Sequence, residues 1–326
     1  MRLFIFEYFT GGLGGESVHS PVEEGAAMLR AALRDFAALP GVEPFTFVDE
    51  RFAPLVEDIS GVRYFASRHE ERFAAVMDEC DAALVIAPET RGELARLAAA
   101  ALHRGKLWLG CGMEAIILCG DKLDFAARMK QAGIPHPATW PIACFFEPRA
   151  AFGAKPWITK PRDGAGCDGV TLRAAGQRLD CARGPALVAQ EYVEGEAMSA
   201  SVVSSDREVL VLSVNRQRIG REGGRLTYNG GEILPLEPAG EVIRMAEAVW
   251  RAVPGLCGYW GIDYIATPRG PVVIEVNPRL TTSYTALAAA LEINPARAIH
   301  AAAQGEPLPR VTRRRAVVYS LSGVPA

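Results

Sequence analysis

The chain has 326 residues, of which 49% are hydrophobic and 22% charged, and its net charge at pH 7 is −3. High apolar content with a small net charge excludes large-scale disorder. The balance of 35 Lys and Arg against 38 Asp and Glu lacks the basic surplus of a general nucleic-acid-binding protein. The length predicts about two domains, or three small ones.

The cysteines and the N-terminal residues indicate the compartment. Seven cysteines, spread from Cys80 to Cys257, include no Cys-x-x-Cys pair, so neither a disulfide framework nor a zinc ribbon is predicted. The first residues are too briefly apolar for a secretory signal, and no segment is long and apolar enough to span a membrane. We therefore expect free thiols, a cytoplasmic protein, and neither a membrane nor a nucleic-acid partner.

The N-terminal third alternates strand and helix signals, which is typical of a parallel α/β sheet. Strands are predicted at 3–8, 44–48, 81–87 and 106–109, and helices at about 20–38 and 90–104. A glycine-rich loop, Gly11 to Gly15, follows the first strand. We expect this loop to shape an acceptor site.

A different pattern begins near Cys119. A helix is predicted over 121–132, and the proline-containing run from Gly133 to Pro137 indicates a linker because prolines disfavour helix there. Strands are then predicted at 156–160, 186–192, 198–204, 208–214, 259–267 and 272–277, and helices at 241–251 and 295–303. We predict an N-terminal parallel α/β domain over 1–118, followed by α+β subdomains with antiparallel sheets over 119–190 and 191–326.

The segment from Gly261 to Arg279 predicts a hairpin with two opposed carboxylates. Thr-Pro-Arg-Gly-Pro is a turn signal, and its flanks have strand patterns. If the turn is centred on Arg269, Asp263 and Glu275 lie opposite each other, and Asn277 shares their face because strand side chains alternate. The other face is expected to be core and to contain Ile262, Tyr264, Ile274 and Val276.

Two like charges directly opposite on a sheet are destabilising unless a cation lies between them. Two carboxylates and a carboxamide offer oxygen ligands, which suit Mg²⁺ or Mn²⁺. From the hairpin alone, a solvated face whose charges spread apart in water remains an equal alternative.

A second motif combines a strand-borne lysine with a glycine-rich loop. Lys160 ends a predicted strand, and Gly164, Gly166 and Gly169 follow it. Glycines let backbone N–H groups approach an anion closely, and a positioned lysine adds charge. The order of residues is not that of a P-loop. The motif predicts a hairpin that covers phosphates, and a plain flexible hairpin is the alternative.

A third motif, the run from Gln190 to Glu196, follows an apolar strand and is expected to offer a free backbone edge to a purine. With it, the chain resembles the ATP-grasp superfamily of ligases from Asp121 to Arg279. The resembling segments, in order, are Asp121-Lys122 with Gly133-Ile134-Pro135, Lys160-Pro161 with its loop, Gln190 to Glu196, the Asp263–Glu275–Asn277 set, and Asn277-Pro278-Arg279.

The resemblance implies a pre-ATP-grasp domain followed by a two-part ATP-grasp module, and it implies roles for individual residues. The implied ATP-binding residues are Lys122, Lys160, Gly164, Gly166, Gly169, Glu191, Tyr192, Val193 and Glu196. The implied ligands of two Mg²⁺ or Mn²⁺ ions are Asp263, Glu275 and Asn277, and Arg279 is implied to stabilise the transferred phosphoryl group. Cys167 stands where many relatives have Ser; the loop backbone is still expected to function, although oxidation of the thiol could block it.

Within the superfamily, three segments resemble the tyramine–glutamate ligases of methanofuran biosynthesis and their bacterial relatives in methylofuran and tetrahydromethanopterin pathways. They are Phe6-Glu7-Tyr8, Leu212 to Gln217, and Tyr228 to Gly231. The resemblance implies a homodimer that joins the γ-carboxylate of glutamate to the amine of tyrosine or tyramine through an acyl phosphate. Arg216 is a candidate for binding the substrate carboxylate, and a solvated strand residue is the equal alternative.

Other functions remain as alternatives. An ATP-grasp ligase for another amino-acid pair, such as a dipeptide ligase, uses the same motifs. A non-catalytic ATP-binding regulatory module would be free to lose the acidic residues, so their presence disfavours it. A nicotinamide oxidoreductase is disfavoured because Gly12-x-Gly14-x-x-Ser17 lacks the third glycine of the dinucleotide-binding motif.

Overall fold

The computed structural model describes residues 1–14, 19–56, 58–59, 63–66, 70–142, 151–177 and 186–323. Within them the α-helices are α1 His19–Ala37, α2 Glu70–Asp78, α3 Glu93–His103, α4 Met113–Gly120, α5 Lys122–Gln131, α6 Gly240–Ala252, α7 Tyr284–Ala290 and α8 Pro295–Gln304. Short 3₁₀ helices span Glu50–Leu55 and Thr90–Gly92.

The strands of the N-terminal region are β1 Arg2–Glu7, β2 Glu43–Val48, β3 Arg63–Ala66, β4 Ala82–Ile86 and β5 Leu107–Trp108. They form one parallel sheet in the order β3-β2-β1-β4-β5. The predicted parallel α/β region is confirmed, although α2 and the four-residue β3 were missed because β3 is too short to show a period. The order of strands reverses between β1 and β4, where open α/β sheets bind ligands at the carboxyl ends of the strands.

The remaining strands are β6 Thr139–Pro141, β7 Trp157–Pro161, β8 Thr171–Arg173, β9 Leu187–Glu191, β10 Glu196–Ser204, β11 Val209–Glu222, β12 Arg225–Ile233, β13 Gly258–Thr267, β14 Gly270–Asn277 and β15 Val317–Tyr319. They form one sheet in the order β14-β13-β10-β11-β12-β8-β7-β9-β6, and β15 pairs with β12. The pairs joined directly by turns or short loops, such as β13–β14 and β11–β12, are antiparallel. The predicted mixed α/β and α+β fold class is therefore confirmed.

Strand β11 extends to Glu222, well beyond its predicted end at Val214. Its second half is largely exposed and is held by hydrogen bonding to β12, so burial could not reveal it. Strands β12 and β8 are joined by a ladder of only one residue pair, Arg225 with Thr171. The predicted boundary between subdomains at residue 190 stays a prediction.

The N-terminal domain packs closely on the rest of the chain. One hydrophobic cluster contains both Phe4 of β1 and Trp260 of β13. Polar contacts cross the same boundary, since the Gly112 N–H donates to the Gly255 carbonyl at 2.7 Å and the Thr282 hydroxyl donates to Glu24. This shared core and these contacts join the N-terminal sheet and α1 to the segments that flank the β13–β14 hairpin.

Two further findings concern the cysteines and the possibility of a membrane-spanning helix. The five cysteines in the described part of the chain are free. Across the same residues, no helix combines the length and the apolar character that crossing a bilayer requires.

Candidate active site

The hairpin of β13 and β14 brings two carboxylates face to face. Asp263 pairs with Glu275, as the sequence predicted, and Gly261 pairs with Asn277. The turn itself differs from the prediction, because Thr267 pairs with Gly270 and leaves Pro268 and Arg269 as a two-residue loop. A β-bulge after Asp263 shifts the register by one residue, and this shift restores the predicted pairing.

The bulge also changes which side chains enter the core. Tyr264 pairs with Val273, whose side chain is fully buried, whereas Ile274 is partly exposed. The prediction that Ile274 belongs to the core was therefore wrong by one position. Ile262 and Val276 are buried as expected. An extra residue in one strand reverses the alternation beyond it, and the sequence carries no obvious signal for it.

Asp263 is held by two amide groups. Gln217 donates through Nε2 to Asp263 Oδ1 at 2.8 Å, and Asn277 donates through Nδ2 to Oδ2 at 3.1 Å. Burial and the neighbouring Glu275 carboxylate raise the pKa of Asp263 to about 7. Because the Asn277 carboxamide donates through its nitrogen to Asp263, its oxygen remains available as a ligand for a cation. This donor set fits Mg²⁺ or Mn²⁺.

Two buried lysines lie beside the same carboxylate. The Nζ atoms of Lys122 and Lys160 are each 3.9 Å from Glu275 Oε2. Burial lowers the pKa of Lys160 to about 8, although Glu275 opposes this shift. Lys122 also donates to the carbonyl of Gly164, which ties the start of α5 to the glycine-rich loop. Cations and acidic residues thus converge from β7, α5 and β14.

The glycine-rich loop connects β7 to β8. Gly166 and Gly169 have φ of +61° and +71°, a left-handed conformation that favours glycine. Burial, with Glu275 and Asp263, raises the pKa of the Cys167 thiol to about 12. The thiol therefore stays protonated near neutral pH and is a poor nucleophile. That oxidation of Cys167 could block the loop stays a prediction.

The run after β9 is placed differently from the prediction in one respect. Strand β9 is paired on both sides, with β6 and with β7. Its backbone is therefore hydrogen-bonded through Glu191 and does not offer the free edge that was expected. The Glu191 carboxylate accepts a hydrogen bond from Lys155 Nζ at 2.8 Å. Tyr192 is exposed and Val193 partly exposed, so any free backbone for a purine begins at Tyr192.

Arg216 does not join the acidic hairpin. Side chains alternate along β11, so Gln217 reaches Asp263 and Arg216 points to the opposite face of the sheet. There its Nε lies 2.5 Å from Glu196 Oε1, and Glu232 lies 3.5 Å away. The placement does not support a substrate-binding role for Arg216, and it pairs Glu196 with an arginine on that face.

Sequence reasoning missed two residues that contact the proposed site. Gln217 was quoted only as part of a resembling segment, although the alternation beside Arg216 could have identified it. Glu89, which follows β4, forms an ion pair with Arg279 at 3.0 Å. The two are 190 positions apart, and no spacing or periodicity connects them.

Comparisons with known proteins agree with this geometry. A family model of the ATP-grasp domain matches residues 119–283, and a model of a pre-ATP-grasp domain matches residues 42–116. Tyramine–L-glutamate ligase of Methanocaldococcus fervens is 26% identical over 289 residues, which cover 86% of this chain and 87% of that protein. The ligase of the same name from Methanocaldococcus jannaschii is 25% identical, with 86% and 83% covered.

Solved structures extend the similarity to the whole fold. An ATP-grasp superfamily protein from Archaeoglobus fulgidus is 27% identical with a TM-score of 0.70, and the match covers 98% of this chain and 92% of that one. Biotin carboxylase of Campylobacter jejuni, in a complex with an ATP analogue, has a TM-score of 0.71 at 16% identity, with 97% and 75% covered, which shows the fold alone. ATP-grasp enzymes bind ATP with Mg²⁺. The chain belongs to the ATP-grasp family and is an amide-forming ligase of that family.

Proposed function

We propose that the protein activates the γ-carboxylate of glutamate as an acyl phosphate and joins it to the amine of tyrosine or tyramine. The observation that carries the ligase chemistry is the pairing of Asp263 with Glu275, with two buried lysines 3.9 Å from the latter. The choice of substrates is supported by the names of two relatives that cover 86% of the chain.

In this proposal the acidic hairpin holds the metal. Asp263, Glu275 and the Asn277 oxygen bind two Mg²⁺ or Mn²⁺ ions, with Gln217 orienting Asp263. When bound, the ions neutralise charge on the β- and γ-phosphates. Their binding also relieves the repulsion between the two carboxylates, which are paired across the strands.

The nucleotide is held by groups on both sides of the cleft. Lys122 and Lys160 contact the α- and β-phosphates, and the backbone of the loop containing Gly164, Gly166 and Gly169 covers them. The adenine lies against the run after β9, held by Glu191, Tyr192 and the Val193 backbone. Glu196 binds the ribose in this proposal. To do so it must release the ion pair that it forms with Arg216.

The reaction proceeds in two displacements. A glutamate carboxylate oxygen attacks the γ-phosphorus, and the bond to the ADP oxygen breaks. The amine nitrogen then attacks the activated carbonyl carbon, phosphate departs with the C–O bonding electrons, and the nitrogen loses a proton. The protein supplies alignment and positive charge for both steps, and in this proposal Arg279 and the two lysines provide that charge.

A substrate screen tests the proposal directly. The protein is incubated with Mg²⁺-ATP, glutamate, and tyrosine or tyramine, and the products are analysed by mass spectrometry. We expect ADP, phosphate and a γ-glutamyl amide. With hydroxylamine in place of the amine, we expect a glutamyl hydroxamate, which reports the acyl phosphate.

The controls separate the parts of the proposal. Asp263→Ala should form neither product. A product from another amino-acid pair would overturn the substrates and keep the ligase chemistry. ATP turnover without a hydroxamate, for any acid tested, would contradict the acyl phosphate. Sedimentation analysis tests the homodimer, which we propose from the family resemblance.

A further inference from the structure

A turn of the N-terminal domain contacts two separate parts of the proposed active site. This turn, Glu89–Gly92, comes directly after β4 and contains the short 3₁₀ helix at Thr90–Gly92; we name it the Glu89 turn. Because β4 neighbours β1 at the reversal of strand order, the turn lies at the crevice where such sheets bind ligands.

The first contact is the ion pair between Glu89 and Arg279. Arg279 Nε is 3.0 Å from Glu89 Oε1, and Arg279 Nη2 is 3.3 Å from Glu89 Oε2, so the two side chains meet in bidentate geometry. The side chain of Glu89 is only 6% exposed and that of Arg279 only 13%. Burial opposes the charge on Arg279, yet the carboxylates of Glu89, Glu24 and Glu275 together outweigh it and raise the pKa of the guanidinium. Bidentate pairing fixes orientation as well as charge.

The remaining donors of Arg279 can be counted. A guanidinium has five N–H donors. Glu89 accepts one from Nε and one from Nη2, and the Leu280 carbonyl accepts one from Nη1 at 3.2 Å. Against the residues that the structure describes, two N–H groups are left, one on each terminal nitrogen. These two can bind a pair of phosphoryl oxygens while Glu89 holds the adjacent edge formed by Nε and Nη2.

The second contact joins the Glu89 turn to the glycine-rich loop between β7 and β8. The Arg91 N–H donates to Asp163 Oδ2 at 3.0 Å. Arg91 has a φ of +56°, and within the described ranges it is the only non-glycine residue with a positive φ. A left-handed conformation at such a residue costs about 1 kcal/mol or more and persists where surrounding contacts require it. The contact with Asp163 is such a contact.

The stem of Glu89 is also packed against the segment that leads to Lys122. A Cβ added at Gly120, the last residue of α4, would lie 3.4 Å from the Glu89 Cβ. The contacts of this one turn reach the arginine and the glycine-rich loop on two sides of the cleft.

We propose that Glu89 is a positioning residue for Arg279: it holds the guanidinium so that its two remaining N–H groups face the transferred phosphoryl group. The Glu89 turn sets this arginine in register with the glycine-rich loop. The proposal rests on the role of Arg279 in the proposed function and adds the N-terminal domain to the catalytic apparatus.

The test is Glu89→Gln in the full-length protein, with Glu93→Gln as the matched control. Glu93 lies four residues further on and pairs with Arg96 on the surface of α3. We expect Glu89→Gln to lower kcat for glutamate and tyramine by about 100-fold, because misplacement by about 1 Å has that effect. The affinity for Mg²⁺-ATP, measured by calorimetry, should change by less than about twofold. A folded Glu89→Gln protein with wild-type kcat overturns the proposal.

A double-mutant cycle separates positioning from direct participation. Arg279→Gln removes the arginine, and the double variant leaves a neutral pair that avoids an unpaired buried charge. Glu89→Gln should cost nothing further in the Arg279→Gln background. A further loss would overturn the positioning role, because Glu89 would then act on substrate itself.

A readout without the acid and amine distinguishes failure here from failure of the proposed substrates. Affinity for ADP with Mg²⁺ and aluminium fluoride, a mimic of the transferred phosphoryl group, should fall about tenfold or more in Glu89→Gln, while affinity for ADP stays unchanged. An unchanged affinity for the mimic would overturn the proposal even if glutamate and tyramine proved to be substrates.

Discussion

The acidic hairpin and the Glu89 turn contribute to the same proposed site but are built in opposite ways. In the hairpin, Asp263 and Glu275 are only 12 positions apart in sequence, and a two-residue turn with one bulge brings them together. Glu89 reaches Arg279 only because two domains share a core, across 190 positions. The comparison indicates that local structure places the two carboxylates, whereas domain packing orients Arg279, the arginine that we propose to bind the phosphoryl group.

The largest expected effect is the loss of a hairpin carboxylate. Asp263→Ala or Glu275→Ala should reduce ADP formation by about 1,000-fold, because preorganised charge at the phosphoryl group is removed. Both variants should remain folded in thermal unfolding, since relief of the repulsion between the two carboxylates opposes the loss of their contacts with the neighbouring amides and lysines. Wild-type turnover in either variant would refute the metal assignment.

A second prediction concerns Glu7, at the carboxyl end of β1 in the N-terminal domain. Burial raises the pKa of Glu7 to about 7, although its oxygens accept hydrogen bonds from the backbone N–H groups of Thr10 and Phe9. The folded state therefore holds this proton more tightly than the unfolded state. Its contribution to stability is complete below the unfolded pKa, near 4.5, and is lost as the pH rises to about 7.

Denaturant unfolding at pH 5 and pH 8 measures this contribution. The wild type should lose up to about 3 kcal/mol more than Glu7→Gln over that range, the value that follows from the shift in pKa. Equal losses in both proteins would contradict the assignment of a buried, protonated Glu7. The hairpin and the Glu89 turn are untouched by this substitution.

A third prediction tests the lysines that face the hairpin. Lys160→Ala should weaken ATP binding by about 10- to 100-fold, because a hydrogen bond to a charged group contributes about 1.5–3 kcal/mol. Lys130→Ala is the control, since Lys130 is exposed on α5. Calorimetric titration with Mg²⁺-ATP gives both affinities, and equal values would remove Lys160 from the nucleotide site.

The smallest expected effect compares adjacent residues on the two faces of β11. Gln217→Leu should lower turnover by about tenfold, because the hydrogen bond that orients Asp263 is lost. Arg216→Leu should change turnover by less than about twofold, because its ion pairs are exposed. Steady-state kinetics of the two variants side by side decide the matter, and the reverse order would return Arg216 to the site.

Local patterns in the sequence determined much of this protein. The turn residues around Arg269 and the strand patterns beside them predicted a hairpin with Asp263 opposite Glu275. The exact pairing holds because the bulge, which was not predicted, offsets the one-residue difference in the turn. The run of glycines after Lys160 and the alternation of strands with helices in the N-terminal third are local in the same sense.

The tertiary structure decided what lies between distant segments. The bulge that exposes Ile274, the choice of Gln217 over Arg216, and the pairing of Glu89 with Arg279 all depend on how strands and domains pack. Such contacts have no period and no fixed spacing, since their energy comes from surfaces that meet only after the chain has folded. For that reason the sequence by itself could name the charged residues of the site but not the groups that orient them.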